Sequence, residues 1–441
     1  MKMKRTVKTI SAAVLTVVMA AGITGCAEES PQSSGKEGFK PSLDTNAAYT
    51  MNVVGHYSNF ETLEEEFNRF TEYYPNARLT YTALDNYSKS GSGILSTALA
   101  GSEAPDIFFT YPWIYDWPDG GKIAEASEDL SDPALGIDLS CIRDNLLVRD
   151  DDGRILSVPI YTTTYGMLVN ENIFEKEGLT VPQTYSELVS VCRELKDKGY
   201  AYPIMGYNKG TDLLDPLFDP YFCAQIQADK KALSDLNEMR EGAGEYMRSA
   251  LELAADFMSY GFIDAEECSK LENNYEAVIL RFFEGDVPMM FATGNTVSGT
   301  QKRESMSEAF TANPFSYSFF PVPSTEEGGY FLNSVSLSFS VNRNSNNLEI
   351  SNEFMRFLIC SDELNSMANG KRMVPPCKDM SLNSVYAPFM DIDAGRTINQ
   401  SELGLLDTPS SQVSKACWLV CSGVMTVDEA IENFGSLSTE G

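Results

Sequence analysis

Between Thr50 and Thr110 the chain switches repeatedly between two hydrophobic periods, and that alternation restricts its fold more than any other feature. Thr50–Val54 reads as a strand. Ser58 and Glu61 then have the spacing of a capping box. Phe60, Leu63, Phe67, Phe70 and Tyr74 follow at helical intervals, with Glu64, Glu65 and Glu66 largely on the wet face. Pro75 closes that helix. Arg78–Thr82 predicts a second strand, Ile94, Leu95, Ala98 and Leu99 a second helix ending at Gly101, and Asp106–Thr110 a third strand. A β-α-β-α-β order argues for an α/β fold with a mostly parallel sheet flanked by helices.

The pattern resumes further on. Met167–Val169 reads as a strand, and Thr184 with Glu187 forms a capping box ahead of Leu188, Val191, Cys192 and Leu195. A long helix is expected over about 245–260, then strands at Val287–Ala292 and Ser334–Val341, the latter alternating polar and apolar. Helices follow near Asn352–Cys360 and Asp362–Ala368. Thr426 and Glu429 cap a last short one.

The first 47 residues have a different character. Lys2, Lys4, Arg5 and Lys8 precede an apolar run from Ile10 to Ala21, too short to span a bilayer. Gly22-Ile-Thr-Gly-Cys26 then has the lipobox pattern of a lipoprotein signal peptide. Residues 1–25 are therefore expected to be removed, Cys26 to become the lipidated N-terminus, and 26–47 to act as a flexible spacer. The protein would work on the outer face of a bacterial cytoplasmic membrane, touching it only through the anchor.

With 33 Lys+Arg against 63 Asp+Glu the net charge is −30. A surface that acidic disfavours nucleic acid and anionic headgroups, and favours neutral or cationic ligands. Eight cysteines besides Cys26 are scattered without a Cys-x-x-Cys pair and read as mostly buried thiols. Catalytic signatures are missing. His56 is the single histidine, no Gly-x-Ser-x-Gly elbow accompanies it, and there is no Gly-x4-Gly-Lys-Ser/Thr phosphate loop. Asp150-Asp151-Asp152-Gly153 reads as a solvated turn, and Asp391-x-Asp393-x-Gly395 lacks the rest of a calcium loop. No cofactor or metal is expected. A surface glycoside hydrolase would need only a pair of carboxylates, and nothing positive points to one.

Six stretches in order carry a family resemblance: Phe67–Pro75 (FNRFTEYYP), Leu95–Phe108 (LSTALAGSEAPDIF), Arg154–Gly178, Val181–Leu195, Phe282–Gly294 (FFEGDVPMMFATG) and Cys421–Ile431 (CSGVMTVDEAI). Together they resemble the extracellular solute-binding proteins of ABC importers, in the group that includes maltose- and oligosaccharide-binding proteins. The resemblance implies a two-lobe fold, non-enzymatic, with the ligand held in the cleft. Residues 48–162 and 328–374 would form the first lobe, and 163–327 and 375–441 the second. The chain would cross near Pro159–Tyr165, Pro323–Phe331 and Met373–Cys377. It implies a monomer that captures a carbohydrate, in all expectation an oligosaccharide, and hands it to an ABC permease. A peptide, polyamine or other small polar solute is the alternative ligand.

Ligands of open α/β sheets bind beyond the carboxyl ends of strands, so the loops there hold the candidates. Sugars call for flat rings under their C–H faces and amides or carboxylates at their rims. Tyr57 and Asn59 follow the first strand, Tyr87 the second, and Tyr111 and Trp113 the third. Tyr161, Thr163 and Tyr165 share one face of the crossing strand by period-two spacing. Asp212 lies in a loop of the second lobe, and Asn295 and Asn333 offer amides. Relatives commonly place a tryptophan just after Gly294. Here Asn295 stands instead, which implies one stacking surface fewer.

Overall fold

The computed structural model describes residues 38–438 apart from 57–62, 85–86, 116–117, 208–212, 228 and 272–274. Ten strands are present among them: β1 (Tyr49–Gly55), β2 (Ala77–Ala83), β3 (Ile107–Thr110), β4 (Val158–Thr163), β5 (Tyr165–Asn170), β6 (Ile204–Gly206), β7 (Met289–Thr293), β8 (Tyr317–Phe320), β9 (Phe331–Val341) and β10 (Thr397–Asn399). They form two sheets. The first runs β10-β9-β3-β1-β2 with β4 also on β9, and the second runs β6-β7-β5-β8.

Helices Glu64–Tyr73 and Tyr87–Leu99 connect β1, β2 and β3, whose mutual pairings are parallel. That is the arrangement the alternating sequence predicts, since a parallel pair needs a crossover long enough for a helix. β3 is buried on both faces, and β9 enters beside it antiparallel. The second sheet departs from the expected mostly parallel order. β5 is antiparallel to both β7 and β8, and β6–β7 alone is parallel. Each fold unit is thus a mixed sheet flanked by helices.

Local sequence explains several helix boundaries. Thr184 accepts from the Glu187 amide at 3.2 Å while the Glu187 carboxylate takes the Thr184 amide, and Thr426 and Glu429 repeat the arrangement. These two capping boxes occupy the positions the sequence marks, and the third, Ser58 with Glu61, lies outside the described residues. The helix expected over 245–260 begins as a 3-10 turn, Ala243–Met247, before Arg248–Ser259.

Apolar residues pack each sheet separately. On the first, Phe109 and Phe339 stack at 4.9 Å between ring centres, and Phe70 meets Phe354 edge-on at 5.1 Å. The second has the larger continuous core, in which Phe257, Phe291, Phe319 and Phe389 pack with Met167, Met289 and Met290. Five of the eight described cysteines are buried and all are free thiols.

Three segments join the sheets. β4 and β5 are separated by Thr164 alone. β8 returns to β9 through residues 321–330, and the first residues of β9, Phe331 and Leu332, pack into the second core. Val374 then bridges Thr162 of β4, after which the 3-10 helix Ser384–Phe389 lies against β8.

Candidate functional site

The joining segments leave a cavity of about 1460 Å³ above them. Ordinary small-molecule sites run to roughly 1,000 Å³, so there is room for a ligand of several rings. Its position follows the rule for open α/β sheets. His56 stands just past β1, Tyr111 just past β3, and Asn295 just past β7, and all three line it.

The floor comes from the joining strands. Ser334, Ser336 and Ser338 alternate along β9, so three hydroxyls face the same way while Leu337 and Phe339 turn into the core. Beside them Thr163 ends β4. Its Oγ1 is buried and has no hydrogen-bond partner among the described residues, an uncommon state for a hydroxyl inside a protein. Gly294 approaches so closely that a Cβ there would lie 2.6 Å from that oxygen, which is why a glycine is needed.

One wall is aromatic. The Tyr111 hydroxyl and His56 Nδ1 share a hydrogen bond, their ring centres are 5.5 Å apart, and His56 also meets Phe109 edge-on at 6.0 Å. Burial pushes the His56 pKa down to about 4, so the imidazole is neutral at neutral pH. Tyr115 adds a third ring, anchored through its hydroxyl to Ser340 Oγ at 3.0 Å and the Leu156 carbonyl at 3.3 Å. The opposite wall is the start of helix Gly294–Met306, capped by Thr293, which accepts from the Thr296 amide at 3.3 Å. Asn295 is exposed there and accepts from Ser336 Oγ at 2.8 Å, tying this helix to the floor.

A cleft lined by hydroxyls, amides and rings is chemically suited to polar solutes. Among the described residues no cluster of His, Cys, Asp or Glu is arranged to hold a metal ion, and no helix is long and apolar enough to cross a membrane. The sequence pattern of the bacterial extracellular solute-binding proteins matches residues 55–361, well over half the chain. The chain belongs to that family. As a solute-binding protein it is similar over 124 residues to the melibiose/raffinose/stachyose-binding protein MelE of Bacillus subtilis, at 27% identity. That match spans 27% of the length of each protein.

Solved structures share the fold over nearly the whole chain. The apo form of RafE from Streptococcus pneumoniae superposes with a TM-score of 0.65 at 15% identity, covering 90% of this chain and 98% of RafE. A Bacillus licheniformis sugar transporter in complex with stachyose gives 0.58 at 15% identity, covering 87% and 98%. These likenesses show that the chain shares their two-sheet fold.

The structure distributes the residues singled out in the sequence unevenly. Tyr111, Thr163 and Asn295 come together in the cavity. Tyr161 does not reach it. β4 carries register shifts against β9 on both sides of Tyr161, so simple alternation fails and the ring is buried in the core. Tyr165 belongs to the other sheet, opposite Thr293, and packs against the second core. Asn333 is buried among the joining segments, where its Nδ2 donates to Thr162 Oγ1 at 2.9 Å. Tyr87 opens helix Tyr87–Leu99 and Trp113 lies in the 3-10 turn Pro112–Tyr115, where loops were expected. Their side chains, like Tyr57, Asn59, Asp212 and Cys26, fall outside the described residues. Sequence reading passed over His56 as a cleft residue in favour of Tyr57, and also Tyr115 and the β9 serines. The period-two run Ser334–Ser338 was the available signal for the last.

Proposed function

We propose that this protein captures a carbohydrate, an oligosaccharide by the size of its cleft, and delivers it to an ABC permease. The supporting observation is the composite cleft itself, whose floor of serines, buried Thr163 hydroxyl and aromatic His56–Tyr111 wall are the groups a sugar needs. MelE is named for raffinose-type sugars, and the Bacillus licheniformis structure holds stachyose, which agrees with this ligand class. Tyr111, Thr163 and Asn295 are assigned to the ligand. Trp113 is added because it follows β3 two residues after Tyr111.

In this reading residues 48–162 with 328–374 and residues 163–327 with 375–441 are the two lobes, pivoting about the three joining segments. A ligand touching both biases the equilibrium toward the closed form, which the permease recognises. The protein acts as a monomer, anchored outside the cytoplasmic membrane through Cys26.

A thermal-shift screen of the purified full chain against mono- and oligosaccharides, with amino acids, peptides and polyamines alongside, tests this. Ligand binding to the native state alone raises Tm by mass action. A rise with one class of sugar is the expected result. A rise with peptides or polyamines and none with any sugar overturns the carbohydrate assignment.

A further inference from the structure

The chain as a whole has nearly twice as many acidic as basic side chains. The cleft reverses that ratio. Its lining carries Arg149, Arg154, Lys302, Arg303 and Lys371 against Asp150, Asp151 and Asp407, and His56 adds no charge at neutral pH. The expectation from composition, a neutral or cationic ligand, therefore does not hold at the surface that meets the ligand.

Pairing sharpens the contrast. Asp150 is committed to Arg154, at 2.7 Å from its Nη2. Arg303 reaches Glu276 at 3.2 Å through Nη2, yet its Nε is buried without a hydrogen-bond partner among the described residues. Among the described residues Lys302 and Arg149 have no ion-pair partner, and Arg149 donates only to the Gly153 carbonyl at 2.6 Å. Lys302 lies on helix Gly294–Met306, which follows β7 of the second sheet, whereas Arg149 precedes β4 of the first. The positive end of that helix opens toward the same space, with no acidic residue in its first turn.

We infer that the cleft takes an anionic carbohydrate, one carrying a ring carboxylate or a sulfate ester, whose charge is shared by Lys302 on one side and Arg149 on the other. This inference rests on the carbohydrate reading above and adds the charge. Both side chains line the same cavity and carry the same charge, so bringing them together as the lobes close is opposed by repulsion. An anion between them removes the repulsion and rewards closure, so charge recognition and lobe closure are one event. The acidic exterior supports selectivity by repelling anions everywhere except at the cleft.

The test is titration calorimetry of the full chain with matched sets of oligosaccharides built on glucose, galactose or mannose. Each set has a neutral, a uronate-bearing and a sulfated member. The expected result is that one acidic member binds at least about tenfold tighter than its neutral counterpart at low salt. The gap should narrow as salt is raised toward 0.5 M and should close in Lys302→Glu. Lys302 is exposed, so this change leaves folding intact, and Arg149→Glu serves as an independent second variant. Which acidic member wins separates carboxylate from sulfate recognition. Neutral members binding as well as or better than acidic ones would overturn the charge inference and leave the carbohydrate reading standing. An acidic preference unchanged in both variants would overturn the assignment to these two residues. Binding by no sugar of any set would overturn both readings together.

Discussion

Arg143 and Asn333, 190 positions apart in sequence, meet at 3.2 Å from Nη2 to Oδ1, where all three joining segments run side by side. The same guanidinium donates to the Pro375 and Pro376 carbonyls and to Thr162 Oγ1, which also accepts from Asn333 Nδ2. Among the described residues these partners are all neutral, and burial pushes the Arg143 pKa down to about 10. Arg143→Ala strands the Asn333 oxygen and the Pro375 carbonyl, and is expected to cost about 2–3 kcal/mol in urea unfolding. Arg143→Lys should recover little, because one ammonium cannot span three segments as a planar fork does.

His56 gives the protein a calculable pH response. Its folded pKa of about 4 lies below the ordinary 6.5, so the unfolded chain binds the extra proton first. The stability from keeping it neutral is complete above pH 6.5. It declines as pH falls toward 4, by about 3 kcal/mol at most. Urea midpoints of the native protein and His56→Asn, compared at pH 7 and 4.5, should converge as pH drops. A constant difference between the two would show that the histidine does not carry the effect.

Thr163 separates binding from stability. Its hydroxyl is buried without a partner, so Thr163→Val should leave Tm unchanged or raise stability by about 1 kcal/mol. Removing the same hydroxyl should weaken ligand binding by about 1 kcal/mol, roughly fivefold, in a calorimetric titration. Equal affinity for the two proteins would take Thr163 out of the site.

Glu353 is 3% exposed, far from the cleft. Burial alone would raise its pKa, but hydrogen bonds from Arg356, Ser42 and Tyr74 outweigh it and hold the carboxyl below its usual range. Its contribution is therefore present above the unfolded carboxylate pKa and lost as pH falls through the folded one. Glu353→Gln should destabilise by about 2–4 kcal/mol at pH 7, a difference that shrinks below pH 4 in guanidinium titrations.

These four sites show where sequence is informative. Periodicity located β1, β2 and β3 with their helices because each element answers to local rules, and the capping boxes at Thr184 and Thr426 are wholly local devices. Pairing direction in the second sheet is settled by which strands meet across 85 or more residues, and no local pattern encodes that. Tyr161 was misplaced by a bulge that period-two counting cannot see. Asn333 is legible as a polar strand residue, but its burial against Arg143 depends on three distant segments converging. The charge of the cleft was hidden for the same reason, since Arg149 and Lys302 come to line one cavity only once the two sheets are joined.

Thr164, the single residue between β4 and β5, also accepts the Gly294 amide at 2.8 Å. The start of helix Gly294–Met306 is thereby pinned where the two sheets join. Thirteen residues make a rod about 20 Å long. A turn of about 10° at the pinned end sweeps the far end through roughly 3.5 Å by that length, while Asn295 next to the pin scarcely moves. Under the proposed lobe closure the cleft would be geared: contacts next to the pin would keep their positions, while Lys302, further along the helix, would travel to meet whatever they have accepted.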